Sequence, residues 1–361
     1  MIKENFIMFI NLKFIFSLFK YLIFLTSISI FLIFCDSNGS EYTGPWKEVP
    51  TPGGEGELSA CYFTSPDNGW ACGNSWNDAE QKSYPLLIHW NGTEWEEYPY
   101  GGWFDEEGFI ATGIFDISFS GLNDGWCVGE LLDKQSEHHG FILRYDGSKW
   151  YSFNKDLGVQ VWRVYAISSN DVWFVVYDKG NGDFLYHWDG NEIKKSDTSP
   201  VDAGIECLAF SSSNEGLAVG WYYCVYHWDG TSWTEIDSDP SRPFINNAVS
   251  YYEPNSALIA GDERRARWRN GIYQYEYCWS YGYEDIHFSH PDEGWMIGCG
   301  PNPSKPLGYG FYIWHWDGKD WIKMEAPSGM APNAVFSIDY NFAWIVGFDK
   351  KHNCAAWQYE P

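Results

Sequence analysis

The side chains best suited to chemistry are neighbouring carboxylates and one isolated arginine. Glu106 and Glu107 are adjacent, as are Glu284 and Asp285. Such pairs can act as general acid and base in glycoside cleavage. Arg163 falls in a predicted inner strand, where it would either clamp a substrate carboxylate or line a channel. The chain holds 49 acidic residues, so adjacent acids arise by chance, and we favour the interpretation that both pairs are solvated.

Two adjacent histidines are the strongest metal candidates. His138 and His139 lie near Glu130 and Asp133, and such nitrogen and oxygen donors suit transition metals. Adjacent loop residues seldom converge on one ion, however, and the cysteines after residue 35 lack CxxC spacing. We therefore expect no metal, no catalytic residue and no cofactor.

One cysteine pair has hairpin spacing. If the first hairpin pairs Phe63 with Trp70, Cys61 lies opposite Cys72. A disulfide is plausible in an exported protein. Two small buried thiols are the alternative.

A repeat organises most of the chain. Its first landmark is an apolar run, a polar turn and usually Gly-Trp or a similar pair, as in YFTSPDNGWACG, SFSGLNDGWCVG and HFSHPDEGWMIG, and seven copies are present. The second landmark is an aromatic turn such as HWNGTEW, RYDGSKW or HWDGTSW, with the Asn-Gly or Asp-Gly typical of tight hairpins. Together they predict an all-β fold, a seven-bladed β-propeller of four-stranded blades.

The chain ends support a closed ring. The last repeat lacks a fourth strand, whereas GPWKEVP at 44–50 resembles a fourth strand without a blade. An N-terminal strand that completes the last blade explains both and removes open sheet edges.

Connection lengths place the variable loops at one end of the strands. The longest segments are 74–85, 129–140 and 298–310, joined by the inter-repeat segment 100–113. Loops on a rigid scaffold often carry binding residues. The candidate ligand-binding residues are Trp76, Tyr84, Trp103, Phe104, His138, Tyr281, Tyr283 and Tyr309. Packing of these side chains onto the sheets is the alternative.

The N-terminus has the pattern of an export signal. Lys13 and Lys20 precede the apolar run 21–34, which is shorter than the roughly 20 residues of a spanning helix. LIFC followed by DSNGS resembles a bacterial lipoprotein lipobox, with Cys35 as the lipidation candidate. Phe34 stands where a lipobox has a small residue, so an uncleaved signal anchor is the alternative. We expect a signal at 1–35, a tether at 36–43 and one propeller at 44–361, exported and held at the cell envelope or surface.

Charge narrows the partner classes. The net charge is −26, which disfavours nucleic acid because backbone binding needs a basic surface. The one basic run is ERRARWR at 263–269, consistent with a solvated strand face. We expect a monomer that meets the membrane only through its N-terminus.

Two turns carry a family resemblance. HWDGTSW and HWDGKDW resemble the Asp-box turns of sialidase-like propellers. The repeat over 44–361 also resembles the blades of photosystem II assembly-factor-like and related bacterial lipoprotein propellers. Asp229 and Gly230 are adjacent here, whereas an Asp-box has a residue between them. The resemblance implies the fold, and it does not transfer function.

Two functions follow as hypotheses. The first is a non-catalytic module on the cell envelope that binds a protein segment or a glycan through the aromatic loops. The alternative is a glycan-active hydrolase or lyase of sialidase-like propeller type. The resemblance to sialidase-type enzymes would imply three arginines that bind the substrate carboxylate and a FRIP-like segment before the repeats. The sequence shows no FRIP-like segment, and four of its arginines lie in a single repeat.

Overall fold

A computed structural model describes residues 44–99, 108–155, 157–158, 160–178, 182–199, 204–302 and 309–361. The compact body comprises residues 44–300 and 311–361. Of residues 301–310, which fall outside it, only 301–302 and 309–310 are described; Pro301 ends one strand and Tyr309 begins the next. Within the described ranges, no helix has the length and apolar character needed to cross a membrane. The predicted signal, including Cys35, lies outside them.

The regular structure consists of β-strands. In chain order they are β1 (Trp46–Val49), β2 (Gly56–Ser65), β3 (Asn68–Asn77), β4 (Lys82–Trp90), β5 (Trp95–Glu97), β6 (Ile110–Gly121), β7 (Asp124–Leu132), β8 (His138–Tyr145), β9 (Trp150–Lys155), β10 (Gln160–Ser168), β11 (Asp171–Asp178), β12 (Gly182–Trp188), β13 (Ile193–Lys195), β14 (Ile205–Ser212), β15 (Glu215–Gly220), β16 (Val225–Trp228), β17 (Trp233–Asp237), β18 (Asn246–Glu253), β19 (Ser256–Arg269), β20 (Ile272–His290), β21 (Glu293–Pro301), β22 (Tyr309–Trp316), β23 (Trp321–Glu325), β24 (Ala331–Asp339), β25 (Phe342–Phe348) and β26 (Cys354–Tyr359).

The sheet count differs from the prediction. The described strands form five four-stranded blades, β2 to β5, β6 to β9, β10 to β13, β14 to β17 and β24 to β26 with β1. The strands from β18 to β23 form one six-stranded sheet. The all-β fold is confirmed, but the prediction of seven four-stranded blades is wrong.

The long strand β20 explains the difference. Its first part pairs with β19, from Ile272 opposite Arg269 to Tyr277 opposite Arg264. Its last part pairs with β21, ending with His290 opposite Glu293. The sequence of β20 is rich in aromatic residues and has no proline, so the chain stays extended where a break between two blades was expected.

The predicted closure by the N-terminal strand is confirmed. β1 pairs antiparallel with β26, from Trp46 opposite Tyr359 to Val49 opposite Ala356. Trp46 is 1% exposed and packs edge-on against Trp295, with ring centroids 5.1 Å apart. The first strand therefore joins the last sheet and buries a large aromatic side chain against the neighbouring one.

The first strand of each repeat contacts its neighbours in a closed circuit. The circuit runs β2, β6, β10, β14, β18, the last part of β20, β24 and back to β2. We call these the inner strands. The hydrophobic core lies between adjacent sheets, as where Phe63 stacks on Trp344 at 5.5 Å between the first and last sheets.

Each recurring histidine braces its own strand against the strand that precedes it in the chain. His187 Nε2 lies 2.7 Å from Asp171 Oδ1, and His315 Nε2 lies 2.7 Å from Glu293 Oε2. His89 and His227 make the equivalent contacts to Asn68 and Glu215. In each case the partner is the first residue of the preceding strand. The histidines are therefore structural.

Candidate functional site

Every inner strand carries a β-bulge near its start. In β2 the register with β3 skips one residue between Leu58 and Ala60, and in β20 the register with β21 skips one between Tyr283 and Asp285. Side chains of a regular strand alternate between the two faces of the sheet. A bulge inserts one extra residue and gives its side chain a different direction. One residue left out of register near the start of each inner strand belongs to what we call the bulge ring: Ser59, Phe115, Trp162, Glu206, Asn247, Glu284 and Asn333. Strand β6 has a further bulge at Thr112.

The bulge ring faces solvent-accessible space. In each inner strand the residue just before the bulge is buried, whereas the bulge residue is accessible. For example, Leu58 is buried beside accessible Ser59, and Tyr283 is buried beside exposed Glu284. A closed circuit of strands encloses a central channel. The bulge ring therefore lines this channel.

The ring opens at the end that bears the β3–β4 hairpin. The backbone amide of Trp76 donates to the Glu55 carbonyl oxygen at 2.7 Å, and Ser83 Oγ donates to the Thr112 carbonyl oxygen at 2.8 Å. Glu55 and Thr112 lie at the starts of the first two inner strands. The mouth of the channel, defined by the bulge ring, is thus beside one of the predicted binding segments.

Two carboxylates next to the bulges hold adjacent inner strands together. Asp116 Oδ2 accepts from the Val164 amide at 2.9 Å, and Asp285 Oδ2 accepts from the Val335 amide at 2.8 Å. Desolvation raises the pKa of Asp116 to about 6 and that of Asp285 to about 7. Asp285 was expected to be a solvated surface acid, and that prediction is wrong because its carboxylate links two strands.

Two asparagines of the bulge ring make similar links. Asn247 Nδ2 donates to the Tyr283 carbonyl oxygen at 2.8 Å, and Asn333 Nδ2 donates to the Leu58 carbonyl oxygen at 2.9 Å. Their amide groups are therefore occupied in fixing neighbouring strands.

An aromatic pair and an arginine form one side of the mouth. The Phe115 and Trp162 rings stack with centroids 4.9 Å apart and planes 23° apart. Arg163 Nη1 donates to the Trp162 carbonyl oxygen at 3.0 Å. Burial by itself lowers the pKa of Arg163, but Asp116 and Glu206 raise it above its usual value. Arg163 thus lines the channel as a permanent cation among acids.

Glu206 and Glu284 are the acids of the bulge ring. Trp221 Nε1 donates to Glu206 Oε1 at 2.5 Å. Glu284 has no hydrogen-bond partner among the described residues. Although the Glu284 side chain is accessible from the channel, the surrounding protein desolvates it, and this, followed by repulsion from Asp262, Asp285 and Glu206, raises its pKa to about 7. A positive group that entered the mouth would relieve this repulsion.

The first predicted binding segment is mostly strand. β3 runs to Asn77 and β4 starts at Lys82, so little of the expected loop 74–85 remains irregular. Trp76 is 37% exposed, and its indole donates to Asp78 Oδ1 at 3.0 Å. Tyr84 hydrogen-bonds Glu80 through its hydroxyl. The Trp76 backbone hydrogen-bonds to the residue just before the first inner strand, so the hairpin that carries both residues lies beside the mouth.

The histidine pair does not converge on one point. His138 Nδ1 lies 2.9 Å from Glu130 Oε1, whereas His139 Nε2 lies 3.3 Å from Asp133 Oδ2. The two histidines therefore bind different carboxylates. The described residues contain no group of three or more potential ligands that would hold a metal ion.

Two tyrosines predicted as ligand-binding lie on strand β20. Tyr283 is only 3% exposed and packs against Trp314 with centroids 5.1 Å apart, so its ring is a core element. Tyr281 stacks on Tyr283 and accepts a hydrogen bond from Lys323 Nζ at 3.2 Å. Tyr309 begins β22, and its side chain is outside the description. Trp103, Phe104, Glu106 and Glu107 also lie outside the described residues.

The expected pairing of two cysteines is wrong. Cys72 lies opposite Ala60, and Cys61 lies opposite Ala71. A bulge between Phe63 and Ser65 shifts the register by one residue, which moves a side chain to the other face. Both thiols are buried and free.

The raised pKa values predict that stability falls as pH rises. Asp116, Glu284 and Asp285 bind protons more tightly in the folded chain than in the unfolded one. The free energy of unfolding should therefore decrease between about pH 4 and pH 7. The substitution E284Q should reduce this decrease by on the order of 1 kcal/mol, after allowance for solvent screening in the channel.

Urea denaturation at several pH values measures this effect. D320N removes an exposed carboxylate from a turn and is the matched control. If the free energy of unfolding depended on pH in the same way in E284Q and D320N, ionisation of Glu284 would cost the folded chain no more than ionisation of an exposed carboxylate.

Comparison with known proteins supports the fold. No protein-family model and no curated protein sequence matches the chain. Among solved structures it is similar to the photosystem II assembly factor YCF48 bound to a D1 peptide, with 16% identity and TM-score 0.60 over 90% of this chain and 100% of that one. YCF48 from Cyanidioschyzon merolae gives 16% identity and TM-score 0.59 over 88% and 99%.

A glycoside hydrolase shares the fold as well. The GH74 xyloglucanase from Xanthomonas campestris is 13% identical, with TM-score 0.60 over 86% of this chain and 55% of that one. These identities show a β-propeller and nothing of its chemistry. The predicted likeness to photosystem II assembly-factor-like propellers is confirmed at the level of fold, while the lipoprotein and Asp-box resemblances stay predictions.

Proposed function

We propose that the chain is a binding module that captures a segment of another protein at the mouth of the channel. The observation that carries this proposal is the bulge ring, in which accessible Glu206 and Glu284 line the same channel as the stacked Phe115–Trp162 pair. Carboxylates attract an ammonium or guanidinium group, and an aromatic face favours it further. We therefore propose that a lysine or arginine side chain of the segment enters the mouth.

Several features support a protein segment as the ligand. The structurally similar YCF48 was solved with a bound peptide. The net charge of −26 favours a basic partner by long-range attraction. We further propose that Trp76 and Tyr84 contact the part of the segment outside the channel, and that the chain is exported and tethered at the cell envelope as a monomer.

Selection from a random peptide library tests the proposal. Phage-displayed peptides selected on the wild-type chain should be enriched in lysine or arginine at one position. Calorimetry with the best selected peptide should show roughly tenfold weaker binding to E206Q/E284Q, because one charge-assisted contact contributes about 1.5–3 kcal/mol. The control E48Q/E97Q removes the same charge from exposed positions of β1 and β5.

Two outcomes would contradict the proposal. One is enrichment of peptides without basic residues. The other is equal binding of the selected peptide to E206Q/E284Q and E48Q/E97Q, which would leave only nonspecific attraction. W76A should weaken binding by a smaller factor, because Trp76 lies beside the mouth and outside the bulge ring.

Glycan cleavage is the second candidate function. It is favoured by Glu284, whose pKa of about 7 would allow proton donation at neutral pH. Release of reducing sugar from a panel of envelope glycans, lost in E284Q and on replacement of Arg163, would support it. Absence of turnover together with peptide binding would support the binding module.

A further inference from the structure

The basic run 263–269 alternates between the two faces of the β19–β20 hairpin. Arg264, Ala266 and Trp268 point inward and are 2%, 2% and 4% exposed. The alternate residues Arg267 and Arg269 are exposed. Since side chains alternate along a strand, these two guanidinium groups share one face.

The residues of β20 that pair with the two arginines are uncharged. Arg267 lies opposite Gln274, and Arg269 lies opposite Ile272. Arg265, by contrast, forms an ion pair with Glu276 at 2.8 Å. In the part of the chain that the structure describes, neither Arg267 nor Arg269 has an ion-pair partner. An acidic protein thus displays two uncompensated cations side by side.

A cleft of about 500 Å³ lies over these residues. The side chains that line it are Tyr252, Arg267, Arg269, Asn270, Ile272 and Gln274. Ile272 is 61% exposed and gives the cleft an apolar rim. Tyr252 lies near the end of β18, whereas Asn247 of the bulge ring lies near its start, so the cleft and the mouth are at opposite ends of the sheet. We call this site the hairpin cleft.

We propose that the hairpin cleft binds an extended acidic peptide segment with carboxylates at alternate positions. Two residues along a strand span about 7 Å, both between Arg267 and Arg269 and between alternate carboxylates of an extended ligand. Each planar guanidinium can take one carboxylate through two parallel hydrogen bonds. Ile272, opposite Arg269, packs against an apolar atom group of the ligand.

Charge and shape favour a peptide over a nucleic acid. The net charge of −26 repels a long polyanion, whereas a short acidic segment presents few charges to the rest of the surface. Screening also limits the repulsion to about 10 Å at ordinary ionic strength. This site does not depend on the function proposed for the mouth.

Fluorescence anisotropy with two labelled peptides tests the proposal on the full chain. In the first peptide, three glutamates alternate with four threonines. The second has the same composition with its three glutamates in a row. We expect the wild-type chain to bind the alternating peptide more tightly, and R267Q/R269Q to weaken that binding by about tenfold or more.

The control K149Q/K319Q removes two exposed cations from turns elsewhere and should leave the affinity nearly unchanged. Equal binding of the two peptides, an equal loss in the control, or no binding by the wild-type chain would overturn the proposal. Sedimentation adds one further outcome. Self-association that is abolished in R267Q/R269Q, without peptide binding, would identify a second copy of this chain as the occupant and also overturn the proposal.

Discussion

Replacing Trp46 with alanine is expected to lower the free energy of unfolding by about 3–5 kcal/mol, the usual cost of removing a buried tryptophan. Trp46 is 1% exposed, and its ring contacts Trp295 and Tyr359 at centroid distances of 5.1 and 5.4 Å. The loss should be larger than for an isolated core site, because it also weakens the pairing of β1 with β26 that closes the circuit of sheets.

Guanidinium denaturation followed by circular dichroism measures this loss. W76A is the matched control, because Trp76 is 37% exposed and its removal should change the free energy of unfolding by less than about 1 kcal/mol. Similar losses in W46A and W76A would show that closure by the first strand contributes little to stability.

The closure was predictable from the sequence because it rests on local signals. Tight Asp-Gly and Asn-Gly turns mark the hairpins, and Gly92, Gly147 and Gly230 do take positive φ in the structure. The N-terminal strand belongs to no repeat of its own, and the last repeat lacks a fourth strand, so the two are expected to pair. Trp46 opposite Tyr359 confirms this pairing.

The sheet count and the registers were not predictable in the same way. The sequence pattern does not show whether β20 breaks near Gly282, because that depends on how β20 pairs with β19 and with β21. Single-residue bulges leave no clear sequence signal either. One bulge after Phe63 was enough to separate Cys61 from Cys72.

The candidate site was only partly predicted: Arg163, Glu284 and Asp285 were singled out from the sequence, but their convergence on one channel was not. Glu206 is a charged residue in an otherwise apolar part of β14, whereas Trp162 is apolar like most of β10, and only the bulges show that the two share a position around the channel. A charged residue such as Glu206 hints at an exposed position, but it does not reveal a bulge. Sequence reasoning favoured loops instead, and Tyr283 proved to be buried.

Replacing Arg264 with alanine is expected to lower the free energy of unfolding by about 3–5 kcal/mol, because it leaves a cavity, removes the counter-charge of half-buried Asp237 and leaves the Tyr223 carbonyl oxygen without this donor. Arg264 is 2% exposed. Its Nη1 lies 3.1 Å from Asp237 Oδ2, and its Nη2 donates to the Tyr223 carbonyl oxygen at 3.0 Å and to the Tyr273 hydroxyl at 2.8 Å. The guanidinium also lies 3.9 Å from the centre of the Tyr223 ring.

Arg267, on the opposite face of the same strand, provides the control. R267A should change the free energy of unfolding by at most about 0.5 kcal/mol, because its side chain is exposed. The double substitution R264M/D237N should be less destabilising than the sum of its single substitutions, since it removes both members of the ion pair between buried Arg264 and half-buried Asp237. Additive effects in this cycle would mean that Arg264 acts through packing against Tyr223 rather than through its charge. In that case R264M alone should be tolerated, which separates the two accounts of why a strongly acidic chain keeps an arginine in its core.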